Sequence, residues 1–243
     1  MDSNLNQKTG TNNFDTKWND LYKIGAISFI ITTVLVLFAI IAYFIWPYQS
    51  MDKSTDDILS VLVKDKIGGL ISLDLIMLIT LLIYIFPILA LYVSLKTVNE
   101  SYALIALVFG LIAVATVITA RPLVEMVLLS EKYDNATSEI EKNIYLNAAE
   151  SFRLLFDGTA WVIQTVFLLL SGLISSVLML KSTMFNNKIA WIGIISSLLG
   201  LCFWIPKIGI GLLFLNTILT IIWCPLVSMV FIKYGWEKGA INH

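Results

Sequence analysis

Histidine is almost missing: the chain carries one, His243, at its last position. A Ser-His or Cys-His pair, or a zinc site built on imidazole, would have to be assembled from the chain end, which sets aside most hydrolytic and zinc chemistry. Cysteine is scarce too. Cys202 and Cys224 both fall inside apolar runs, where a thiol behaves as a small hydrophobe. Charged residues make up 14% of the 243, against about 25% in ordinary globular proteins, and a net charge of −1 offers nothing to nucleic acid. No P-loop, glycine-rich dinucleotide turn, serine nucleophile elbow or aspartyl dyad is present. The expectation is a chain without cofactor, metal centre or nucleic-acid partner.

What fills the space is apolar. Hydrophobic residues reach 58% and the mean hydropathy is +0.85. Charges sit in short clusters with long charge-poor runs between them. A hydrocarbon layer of ~30 Å takes about 20 helical residues to cross. Six runs meet that length or approach it: residues 24–46, 67–95, 102–130, 158–180, 189–206 and 208–232. The predicted fold is therefore all-α, an integral membrane bundle of six transmembrane helices within residues 22–236, preceded by a polar tail over 1–21. The first run is too long for a signal-peptide core and is read as a retained helix. Only Lys207 separates the last two runs, which predicts a tight antiparallel hairpin.

Two extramembrane segments carry helix-start signals. Ser54 with Asp57, and Ser138 with Glu141, have the spacing of capped amphipathic helices lying at the interface. In the second segment, residues 131–157, Ile144, Ala148, Phe152 and Phe156 recur at helical spacing and Gly158 closes the turn. Tyr43, Trp46, Trp161, Trp191 and Trp204 fall near run ends, where amphipathic rings favour the headgroup level. Small residues four apart, Gly193/Ser197 among them, allow close approach of the fourth and fifth helices. Asn99-Glu100-Ser101 and Asn135-Ala136-Thr137 both match the glycosylation pattern, yet on opposite predicted sides, so at least one is chance. Six spans put both termini on one side. Basic residues divide almost equally, eight against seven, and acids lean to the far side, which favours cytoplasmic termini.

Charges inside a membrane are costly and tend to pair. Asp74 is predicted roughly 10 Å into the second span and Arg121 roughly 12 Å into the third, at 1.5 Å per residue. Consecutive antiparallel helices thus bring opposite charges to one depth. Glu125, one turn after Arg121, would share its face. Gln164 and Asn216 fall at a comparable level on the fourth and sixth spans, and Pro122 frees a carbonyl beside Arg121. Two readings stay open for this polar layer. One is a structural salt bridge fixing helix register; the other is an outward-facing vestibule where a small ion or proton meets Arg121 or Glu125. The lipid bilayer is one partner, and the surface helix offers a face for a protein.

From its third helix onward the chain resembles the prokaryotic multipass membrane proteins grouped only as a domain of unknown function. The features are the charged pair Arg121 and Glu125 on the third helix, the short polar loop 181–188 after the fourth, and Trp191-Ile192-Gly193 opening the fifth. The resemblance implies a prokaryotic cell membrane and a similar helix count, with no activity attached. What the residues support is a non-enzymatic accessory, sensing or stress-related component, with a small transporter or channel as the alternative and a membrane-embedded enzyme third.

Overall fold

The computed structural model describes residues 18–47 and 53–237. Most of the polar tail over 1–21 and His243 therefore lie outside the described residues. Eleven α-helices follow in order among the described residues: α1 (Asn19–Ile45), α2 (Thr55–Lys64), α3 (Lys66–Ser72), α4 (Leu75–Ile83), α5 (Ile85–Leu95), α6 (Glu100–Ala120), α7 (Leu123–Asp134), α8 (Glu139–Arg153), α9 (Thr159–Met179), α10 (Asn187–Leu201) and α11 (Gly209–Ile232). No strand occurs among them. Among the described residues six helical stretches are long and apolar enough to cross a membrane, and the fold is an all-α multi-pass bundle.

Short connections decide the arrangement. Residues 96–99, 180–186 and 205–208 leave room only for antiparallel neighbours. α5 packs on α6, α6 on α9, α9 on α10 and α10 on α11, while α1 touches α11 on one side and α4 and α5 on the other. The six spans thus close into a ring in chain order. Caps start the helices where local chemistry allows. Asn99 accepts from the Tyr102 amide at 3.1 Å, so one glycosylation-like triplet is a helix start. Ser54 and Ser138 accept from Asp57 and Glu141, each at 3.2 Å, as their spacing predicts.

The half of the ring nearest the termini is filled with aromatics. Phe29 is fully buried, edge-on to Tyr84 and Trp223 at 5.7 Å and beside Phe231 at 6.0 Å. Close backbone approach recurs around it. A Cβ on Gly25 would lie 2.5 Å from Ala90 Cβ, and the Ser171 hydroxyl donates to the Ala106 carbonyl at 2.6 Å, joining α9 to α6. The expected small-residue seam between the fourth and fifth helices is therefore shared out: Ser171 serves α6, while Gly193 and Ser197 face α9.

Opposite the termini, α2, α7 and α8 build a cap with its own core, including Ile58, Leu59, Leu62, Met126, Ala149 and Phe156. The segment 131–157, expected to form an amphipathic helix at the membrane surface, is one wall of a small bundle. Its inward face carries Leu146, Ala149 and Phe152; Ile144, expected on that face, is 60% exposed. At 1.5 Å per residue the 21 residues of α6 already span ~32 Å, and α7 continues from it into the cap.

Candidate functional site

Two helix breaks position the charged pair. α3 ends at Ser72, and Asp74 takes a left-handed conformation with φ of 75° before α4 begins. Aspartate is among the few side chains that tolerate this region. On the third span, Pro122 has no N–H to donate and its ring disfavours helical geometry in the residue before it. Arg121 accordingly leaves the helix, at φ −131° and ψ 76°, and α7 restarts at Leu123. Asp74 directly precedes the apolar stretch Leu75–Leu95, while Arg121 interrupts the longer stretch Glu100–Asp134, both of them beneath the cap.

There they meet. Arg121 Nε and Nη2 donate to Asp74 Oδ2 at 2.9 and 2.7 Å. Nη1 donates to the carbonyls of Ala120 at 3.0 Å and Phe156 at 2.9 Å. The Phe156 ring lies 5.3 Å from the guanidinium carbon. The Tyr43 hydroxyl donates to Asp74 Oδ1, tying in α1. The side chains are 5% and 11% exposed. Four of the five N–H groups an arginine owns are thus engaged, and one of them satisfies a carbonyl stranded by the end of α6. Four elements, α1, the α3–α4 break, the α6–α7 break and the last turn of the cap, converge on one ion pair.

Glu125 does not join them. Because the helix breaks at Arg121–Pro122, the four-residue register that would have put it on the same face is lost, and Glu125 is exposed on α7. Asn216 is also apart. Its amide donates to the Ser196 carbonyl and hydroxyl, both at 2.9 Å, in the seam between α10 and α11. Gln164 does stand near the pair: it is 8% exposed, forms no hydrogen bond within the protein and faces the same cavity.

That cavity, about 450 Å³, is walled by Tyr43, Asp74, Arg121, Trp161 and Gln164 and by apolar side chains of α1, α4, α6 and α11. Phe44 and Phe214, both strongly exposed, complete its rim, so this vestibule reaches the bundle surface between α1 and α11. A second chamber of about 170 Å³ adjoins it deeper in the ring, with Val36, Met77, Leu81 and Thr217 common to both walls. The aromatic packing around Phe29 closes the ring beyond. Tyr43 and Trp161 read in the sequence only as interfacial aromatics, and nothing in their spacing marks them as wall residues. Outside the membrane, Arg153 and then Thr55, which donate to Glu150, hold that carboxyl below its usual range and bind α8 to α2. The exposed Asp65 carboxyl is likewise lowered, by the Gly68 amide and the Trp46 indole. No group of three or more His, Cys, Asp or Glu side chains is gathered for a metal among the described residues.

No curated protein and no solved structure matches the chain. A family profile does, over residues 24–232, which takes in all six spans, the cap and both chambers. The chain belongs to the family described as a domain of unknown function, DUF4386.

Proposed function

We propose that this protein is a non-enzymatic sensing or accessory component of a prokaryotic cell membrane, and that the vestibule beneath the cap receives a small molecule at headgroup level. The observation that carries the reading is Gln164. The residue is nine-tenths buried, and its amide, bonded to no other protein group, faces a cavity large enough for a ligand. The charged pair serves a different end. With its carboxylate and most of its donors engaged, it is a lock holding two broken helices under the cap, and its net charge is zero.

A second reading, transport, draws on the adjoining inner chamber, because the two cavities together carry the interior from the cap toward mid-bundle. With both termini in the cytoplasm, the vestibule faces outward. The test is a Gln164→Cys variant in a Cys202→Ser, Cys224→Ala background, treated in intact cells with a membrane-impermeant methanethiosulfonate. Rapid labelling from outside is expected. Labelling only after solubilisation would overturn the vestibule. Reaction from both faces would favour transport over sensing.

A further inference from the structure

We propose that the inner chamber is a binding site for a small uncharged molecule carrying a carbonyl or hydroxyl acceptor, held by Thr32, Ser176 and Trp223. Its access route rests on the vestibule reading above.

The chamber's wall holds two kinds of polar group. Thr80, Thr217 and Thr220 each donate to the carbonyl four residues earlier, at 2.7, 3.1 and 2.9 Å, and Ser196 is engaged with Asn216. Thr32 Oγ1, Ser176 Oγ and Trp223 Nε1 behave otherwise. All three are buried, at 4%, 0% and 4% exposure, and none has a hydrogen-bond partner in the protein. They come from three helices, α1, α9 and α11, and all line this one cavity. Buried polar atoms are normally satisfied, and a hydroxyl in a helix has the i−4 carbonyl within reach, as its neighbours here show. Three that are not satisfied, gathered at one void, mark where something else supplies the partner.

Gly193 makes the convergence specific. A Cβ there would lie 2.1 Å from Ser176 Oγ and 2.7 Å from Trp223 Nε1, so both groups reach across the same bare stretch of backbone. An indole N–H only donates, so the ligand must bring an acceptor; the two hydroxyls can donate to it or accept from it. No charged side chain lines the chamber. An ion would lose its hydration near mid-span without an opposite charge to meet it, which selects a neutral molecule. The volume of about 170 Å³ compares with ~30 Å³ for one water in the liquid, room for roughly five or six non-hydrogen atoms.

The test uses the full-length protein in lipid nanodiscs, labelled with 5-fluorotryptophan. The chain has seven tryptophans, and the Trp223 fluorine signal is assigned by Trp223→Phe. Butyramide is titrated against butyrate and butylammonium, which match its size but carry charge. Butyramide is expected to shift the Trp223 signal saturably in the millimolar range, and the two ions to leave it in place. Thr32→Val, nearly isosteric, and Ser176→Ala should each weaken that response at least fivefold. Should one variant fail to fold, the other carries the comparison. A chamber holding water alone would give no saturable shift and would overturn the proposal, as would equal shifts from all three probes or unchanged affinity in a folded variant. An unreactive cysteine at position 164 together with an intact Trp223 response would sink the vestibule and leave this site standing.

Discussion

Replacing Asp74 by Asn separates the charge of this residue from its backbone role. Asparagine accepts the left-handed conformation at φ 75° as readily as aspartate, and its carbonyl can still accept from Tyr43. What disappears is the negative partner of a guanidinium whose side chain is 5% exposed. Removing one member of a buried pair costs about 3–5 kcal/mol. The surviving hydrogen bond from Tyr43 argues for the lower end, ~3 kcal/mol, or roughly a hundredfold in the folding equilibrium. Arg121→Leu should cost ~4 kcal/mol, because it also releases the Ala120 and Phe156 carbonyls. The double variant leaves no uncompensated charge, so the two effects should fall short of adding by about 2 kcal/mol or more. Asp74→Ala should exceed Asp74→Asn by ~1–2 kcal/mol, the cost of the left-handed backbone for a residue with an ordinary Cβ. Reversible unfolding in mixed detergent micelles, followed by tryptophan fluorescence, reads all four. Single effects below ~1 kcal/mol, or a cycle additive within ~0.5 kcal/mol, would refute the lock.

Lys207 holds the hairpin between the fifth and sixth spans at φ 71°. Lys207→Gly should therefore stabilise the bundle by ~1 kcal/mol, seen as a higher melting temperature in the same micelles; a lower one would show that its side chain contributes more than its backbone costs. In the cap, the Glu150 carboxyl is lowered in the folded state by Arg153 and Thr55. Its contribution is fully present above the ordinary value of 4.5 and is lost as pH falls through the lower folded value. Hydrogen exchange of α8 should accelerate across that acidic window, and Glu150→Gln should remove this component of the pH dependence.

The six spans are legible because a charge-poor run of about 20 apolar residues has few outcomes other than a membrane helix. The meeting of Asp74 and Arg121 is within reach as well, since consecutive antiparallel helices bring their ends together. The breaks are not. Hydropathy runs on unbroken through residues 67–73 and 123–129, and the cap core uses Leu73, Leu123 and Met126 as a bilayer-facing helix would use them. Run length therefore hides the break that leaves Asp74 ahead of α4 and the break that parts α6 from α7 at Arg121. Glu125 is misplaced by the same break, because a four-residue spacing places side chains together only along a continuous helix. Asn216 fails for another reason: depth along a helix says nothing about angle around it, and this side chain turns into the α10–α11 seam.

The breaks also exchange the roles the residues invite. A charged residue in an apolar span draws the eye as functional, yet Arg121 spends four donors holding protein to protein and presents little field to a ligand, its charge being matched by Asp74 within 3 Å. Thr32, Ser176 and Trp223 look like ordinary membrane-helix composition, and a hydroxyl on a helix is assumed to bond its own backbone. Only the coordinates distinguish Thr80, which does so at 2.7 Å, from Thr32, which does not. If the lock makes the vestibule electrically quiet, discrimination must come from shape and hydrogen bonding. A neutral solute is then favoured twice: it forgoes no attraction at the entrance, and it sheds little hydration on moving from Gln164 to the orphaned donors below. Charge in this fold belongs to assembly, and recognition falls to uncharged side chains left without partners.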